Sequence, residues 1–180
     1  MSRNRYVGDY RIVESIDGRG RVKSDYEYIG APWVYAADGQ TVKATRMRVA
    51  ACCAAGWLAW VVALLPLSAA MRTLVIALSF AFAALPLALA TGIAVSLFRE
   101  KPPFEHRHAD RLENRAPACT FFVALLGSVA LVGEGVSALR GAEMLPGDGA
   151  FAVCAAILTV SAVVCHRQWK RLKCRRAEEP

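Results

Sequence analysis

The sequence predicts an all-α integral membrane protein, a four-helix transmembrane bundle with a small N-terminal cytoplasmic β-hairpin segment. Three observations predict it. Hydrophobic residues are 56% of the 180, above the roughly 45–50% of soluble domains. That excess is gathered into four long runs almost free of charge, as hydrocarbon demands. The 22 lysines and arginines are nearly all confined to the segments that four spans would leave on one side.

The N-terminal segment, residues 1–45, comes first. "YRIVESIDGRGRVKSDYEYIG" reads as a hairpin whose three-residue loop, Gly18-Arg19-Gly20, wants glycine in a left-handed conformation. That loop sets Tyr10 against Tyr28, Ile12 against Tyr26 and Ile16 against Val22 on one face. On the other, Arg11 meets Glu27, Ser15 meets Lys23 and Asp17 meets Arg21. Glu14–Ser24 and Val13–Asp25 are the imperfect pairs. A two-residue loop would put Ile12 opposite Asp25 and Tyr10 opposite Glu27, a poorer match. An isolated hairpin is marginal in water, so its apolar face needs a surface: membrane, loop or another protein. "PWVYA" suggests a third short strand, and residues 41–48 read as the start of the first helix.

Residues 46–180 form the four-span domain, with spans at 49–70, 73–98, 117–139 and 150–167. A spanning helix needs ~20 apolar residues at 1.5 Å rise. "MR" between the first two spans implies a tight hairpin turn, and Pro66 and Pro86 should kink their helices. Small residues recur every four positions at Ala51, Ala55, Ala59 and Ala63, and again at Ala84, Ala88, Gly92 and Ser96. Such ridges let helix backbones approach closely. The first forty residues hold no apolar h-region, so the first span is expected to act as the insertion signal.

Orientation follows from the basic residues. Nine lie before the first span, five in the loop 99–116 and six in the tail 166–180, leaving only Arg72 and Arg140 elsewhere. The positive-inside rule then places both termini and the middle loop in the cytoplasm, in a plasma (inner) membrane. The net charge of +7 reflects this topology; no nucleic-acid recognition motif accompanies it, and no nucleic-acid partner is expected. The tail reads as a continuation of the fourth span into a basic helix. Arg167, Trp169, Lys170, Arg171, Lys173, Arg175 and Arg176 are its candidate lipid-surface contacts. Juxtamembrane cations contribute ~1 kcal/mol each against anionic headgroups.

Glu134 is the one acid inside a span and the candidate ion or substrate residue. Entering from the cytoplasm at Pro117, the helix carries it ~25 Å into a ~30 Å core. It is therefore expected at the outer edge, flanked by Gly133 and Gly135, within reach of water and headgroups. His106 and His108 are weak metal candidates, because an H-x-H spacing puts the rings on different helix faces. Cys52, Cys53, Cys119, Cys165 and Cys174 fall at or below the cytoplasmic boundary and read as small packing residues, with Cys154 alone in the outer half. Neither outer loop contains a cysteine, which excludes the four-span disulfide oxidases, whose cysteine pairs face the oxidising side. Small multidrug exporters carry an acid in the first span, and this chain has none there.

No nucleophile, base and orienting group collect on one side, so no enzyme activity and no cofactor are expected. The expected function is that of a non-catalytic membrane partner, scaffold or assembly factor, acting through the hairpin and basic loops with a protein partner or a second copy. The alternative is a small oligomeric transporter or channel subunit using Glu134.

Overall fold

Asp38 starts the first helix. Its carboxylate accepts the backbone N–H of Thr41 at 3.1 Å, an N-cap that satisfies one orphan donor of the first turn. In the computed structural model, which describes residues 7–16, 22–65, 73–140, 145 and 147–177, helix α1 then runs Gly39–Ala63. It begins ahead of the membrane run, as residues 41–48 suggested, but ends earlier than the expected residue 70. Proline disfavours helix in the residue before it, and Pro66 follows shortly after. Pro66 itself, the "MR" turn and the hairpin loop 17–21 lie outside the described residues.

The second apolar run folds as α2, Leu74–Phe82, and α3, Ala84–Arg99. The interruption at Ala83 sits just before Pro86, which has no N–H to return to the Phe82 carbonyl. The helix-like stretch of the middle loop is α4, His106–Asp110. It passes through one wide turn, Arg111–Arg115, into α5, Ala116–Leu139, giving 34 continuous helical residues. In that turn Ala116 N–H reaches back to the Arg111 carbonyl, an i→i−5 bond. Pro117 follows at once, and the widened turn relieves the clash its ring would make with the preceding turn. Helix α6 spans Asp148–Arg171.

Among the described residues, four helices are thus long and apolar enough to cross a membrane. They close a ring: α6 packs on α1 and α5, α5 on α2 and α3, and α3 on α1. The interior holds Phe80, Phe151, Leu158 and Val123 toward one end, and Val49, Leu97, Leu112 and Trp169 toward the other. The outer surface is apolar too, with Leu58, Leu74, Phe82, Leu85, Phe121 and Val160 exposed. An apolar exterior this extensive is what a lipid-facing surface requires.

The small residues that bring helices together are only partly those of the two ridges. Ala59 and Ala63 are buried, but Ala51, Ala88 and Gly92 face outward. Gly127 of α5 is one close approach, where a Cβ would lie 2.6 Å from Thr159 Oγ1 on α6.

Strands β1, Tyr10–Ile16, and β2, Val22–Tyr28, pair antiparallel in the expected register, Tyr10 opposite Tyr28 through Ile16 opposite Val22. The third strand, β3, is Trp33–Tyr35, and it pairs with the C-terminal tail instead of the hairpin. Its partner is β4, Cys174–Arg176, in the register Trp33↔Arg176, Val34↔Arg175, Tyr35↔Cys174. The tail is therefore not a helix throughout. It leaves helix at Leu172, and the bonds Ala36 N–H to Lys173 O and Ala177 N–H to Pro32 O bracket the little sheet. Trp169 also departs from expectation. It is fully buried among Val42, Leu97 and Leu112 rather than at a lipid surface. It lies on α6 between the exposed Arg167 and Lys170, and the helical period turns it inward.

Candidate functional site

The most developed polar architecture lies at the basic end of the bundle, where the N-terminal segment, the middle loop and the tail interlock. Trp33 and Phe104 exchange two backbone hydrogen bonds, 2.9 and 3.0 Å, tying the N-terminal segment to the loop after α3. Phe104 is buried between Tyr35, ring centroids 5.0 Å apart, and His108 at 4.9 Å. Arg176 places its guanidinium over the Trp33 ring. On the ring's other neighbour, His106 stacks at 5.1 Å and only 9° from parallel.

The hairpin is held to this headpiece at its base. Tyr10 hydroxyl donates to Glu105, and burial together with that bond pushes its pKa up to about 12. The Tyr28 hydroxyl accepts the His106 backbone N–H at 3.1 Å and donates to the Ala31 carbonyl at 2.9 Å. His106 Nδ1 meets Asp9 Oδ2 at 3.0 Å. Beyond this base the hairpin stands free. Ile12, Val22 and Tyr26 are 62%, 65% and 74% exposed, an apolar face without cover among the described residues.

The two metal candidates separate. His106 turns to the hairpin, whereas His108 is buried and pairs with Glu100, whose own pKa burial raises. Among the described residues no group of three or more metal-ligating side chains forms. Of the lipid-contact candidates, Arg167, Lys170, Arg171, Lys173, Arg175 and Arg176 are all exposed, and Trp169 is not. Arg175 and Arg176 sit in β4, so the sheet fixes them against Trp33 and Val34. Cys174, beside them, is half-buried. Its backbone N–H donates to Glu113 Oε1 at 2.7 Å, and burial, then the Glu113 charge, push the thiol pKa up to about 12.

Glu134 lies in the opposite half of the bundle. It is 7% exposed, turned into the helices, and Oε2 finds no hydrogen-bond donor among the described residues. The expectation of a carboxylate open to headgroups fails because the helix places position 134 on the same inward face as Gly127 and Ala130. Asp148 is close enough to interact with it electrostatically. Asp148 opens α6, is 2% exposed, and accepts the Leu145 N–H at 2.7 Å. Sequence reasoning missed this second acid because it stands just ahead of the apolar run. The signal was an acid at a helix start, where the macrodipole favours it.

Four hydroxyls within the long apolar helices are engaged locally. Thr91, Thr120, Ser137 and Thr159 each bond a carbonyl of their own helix, and Trp57 Nε1 donates to Thr91 Oγ1. Cys53 and Cys165 line one internal space of about 10 Å³ together with Cys52, Thr120 and Ser161, enough for about one water. His166 Nδ1 lies 3.0 Å from the Pro117 carbonyl.

No protein-family model, curated protein or solved structure matches this chain.

Proposed function

We propose that this chain is a four-span inner-membrane protein, with both termini cytoplasmic, that acts without catalysis as a membrane partner or assembly factor. The observation that carries the reading is the hairpin, anchored at its base by Tyr10, Tyr28 and Asp9 while Ile12, Val22 and Tyr26 stay exposed. A headpiece that holds out a sheet face and, among the described residues, uncovered strand edges suits recognition of another protein. Apolar side chains give such a contact its area, and unpaired backbone groups give it direction. The asymmetry of basic residues supports the orientation, since headpiece, middle loop and tail are the basic segments and meet at one end.

The test is a photo-crosslinking amino acid at position 26, and separately at exposed position 64 on the bundle flank, in native membranes. Position 26 should give a discrete protein adduct that Ile12→Glu abolishes, and position 64 should label lipid. Lipid adducts alone at position 26 would overturn the reading.

A second reading, a small oligomeric transporter or channel subunit using Glu134, is favoured by one observation. A carboxylate turned into the bundle beside a second acid is the kind of group that binds cations or protons. Thr91, Thr120, Ser137 and Thr159, each bonded to a carbonyl of its own helix, lend that reading no further support.

A further inference from the structure

Between β3, the first turns of α1 and the end of α3 lies a groove of about 650 Å³. Its lining mixes polar side chains, Tyr35, Lys43 and Arg46, with apolar ones, Val42, Met47 and Phe98. Lys43 and Arg46 stand on successive turns of α1, so their heads lie on neighbouring parts of one face. Among the described residues neither forms an ion pair with a carboxylate. Arg46 rests its guanidinium over the Tyr35 ring at 5.8 Å, and its Nε is buried without a hydrogen-bond acceptor. Of the nearby acids, Asp38 caps α1 through Thr41, and Glu100 contacts His108.

The apolar lining is open on its outer side. Met47 is 62% exposed and Phe98 45% exposed, so the groove runs out onto the apolar flank of α1 and α3. We propose that it seats one anionic glycerophospholipid, its phosphate between Lys43 and Arg46 and its acyl chains along Met47 and Phe98. Two cations without a carboxylate ion pair among the described residues favour an anion, and basic pockets between helices at the cytoplasmic surface recruit such headgroups. A soluble phosphate compound would leave Met47 and Phe98 uncovered, whereas a lipid covers the polar and the apolar lining at once. This inference rests on the reading that the basic end lies at a membrane surface. It assigns specific lipid binding to α1, whereas the basic tail offers only a spread of charge.

The experiment is native mass spectrometry of the full chain in detergent, titrated with phosphatidylglycerol or with phosphatidylcholine of the same acyl chains. The parent should retain one phosphatidylglycerol per chain and no phosphatidylcholine. Lys43→Gln with Arg46→Gln should weaken retention about 30-fold, the effect of losing two interfacial cations. Arg11→Gln with Arg107→Gln, exposed cations outside the groove, should retain the lipid as the parent does. If the Arg46 change disturbs folding, Lys43→Glu at its exposed position removes the same charge difference and should weaken retention equally. Unchanged retention in Lys43→Glu, equal retention of phosphatidylcholine, or displacement by glycerol phosphate at matching concentration would each overturn the site. Carbonate extraction of the membranes separates the premises. A chain that stays in the pellet but shows no lipid preference defeats the lipid site alone, and a chain released to the supernatant defeats the membrane reading.

Discussion

Trp33 and Phe104, which α1, α2 and α3 separate in the chain, are joined by a reciprocal pair of backbone hydrogen bonds, 2.9 and 3.0 Å. The pair decides whether the N-terminal segment and the middle loop act as one body. Phe104 fills the space between Tyr35 and His108, so Phe104→Ala leaves a cavity and should cost the headpiece about 3–5 kcal/mol. Limited proteolysis in intact membranes should then cut within residues 22–38 while the helices stay protected. Equal resistance in parent and variant would mean that the headpiece does not depend on this contact.

Tyr10 holds the hairpin through its hydroxyl, so Tyr10→Phe keeps the ring and removes the bond to Glu105. A hydrogen bond to a charged acceptor contributes roughly 1.5–3 kcal/mol, less at a site this open. Hydrogen exchange of β1 and β2 should accelerate several-fold with the bundle unaffected. The pH dependence has a definite sign. The folded pKa of about 12 lies above the ordinary value of 10.0, so the contribution is complete below pH 10 and is lost as pH rises toward 12. In Tyr10→Phe that alkaline loosening should disappear.

Cys174 gives a chemical readout of the β3–β4 sheet. With its pKa raised from 9.0 to about 12, its thiolate population near pH 8 is about a thousandfold below that of an ordinary cysteine. Iodoacetamide should therefore modify Cys174 slowly in the intact protein. Glu113→Gln removes the charge beside the thiol and weakens the acceptor of its backbone N–H, and alkylation should quicken. Fast alkylation in the parent would contradict a paired, half-buried strand at Cys174.

The threading is open to reporter fusions. Fusions after residues 72 and 145 should report the outside, and fusions after residues 108 and 180 the cytoplasm. A cytoplasmic signal after residue 145 would overturn the four-span orientation.

Glu134→Gln separates the two functional readings, because it keeps the side-chain shape while removing the charge beside Asp148. As a partner protein, the variant should insert, accumulate and keep its crosslink at position 26 as the parent does. A lost transport or growth phenotype at unchanged abundance would instead put Glu134 at the centre of the mechanism.

Much of the architecture is determined by the sequence alone. Hydrocarbon-length apolar runs separated by charge specify four long helices, and period-two alternation with a glycine loop specifies the hairpin register from Tyr10–Tyr28 to Ile16–Val22. Both are local or repetitive patterns, which a linear reading captures. Tertiary structure decided what depends on distant partners. It turned the end of the basic tail from helix into β4, because Trp33–Tyr35 offers it an edge. It buried Trp169 in the bundle, since α1 and α3 leave an apolar space where an indole fits. It also set Glu134 beside Asp148, two acids separated by a loop in the chain and brought together only when α5 packs on α6. Apolar spacing fixes that a helix exists, but which face looks inward depends on the neighbours that cover it.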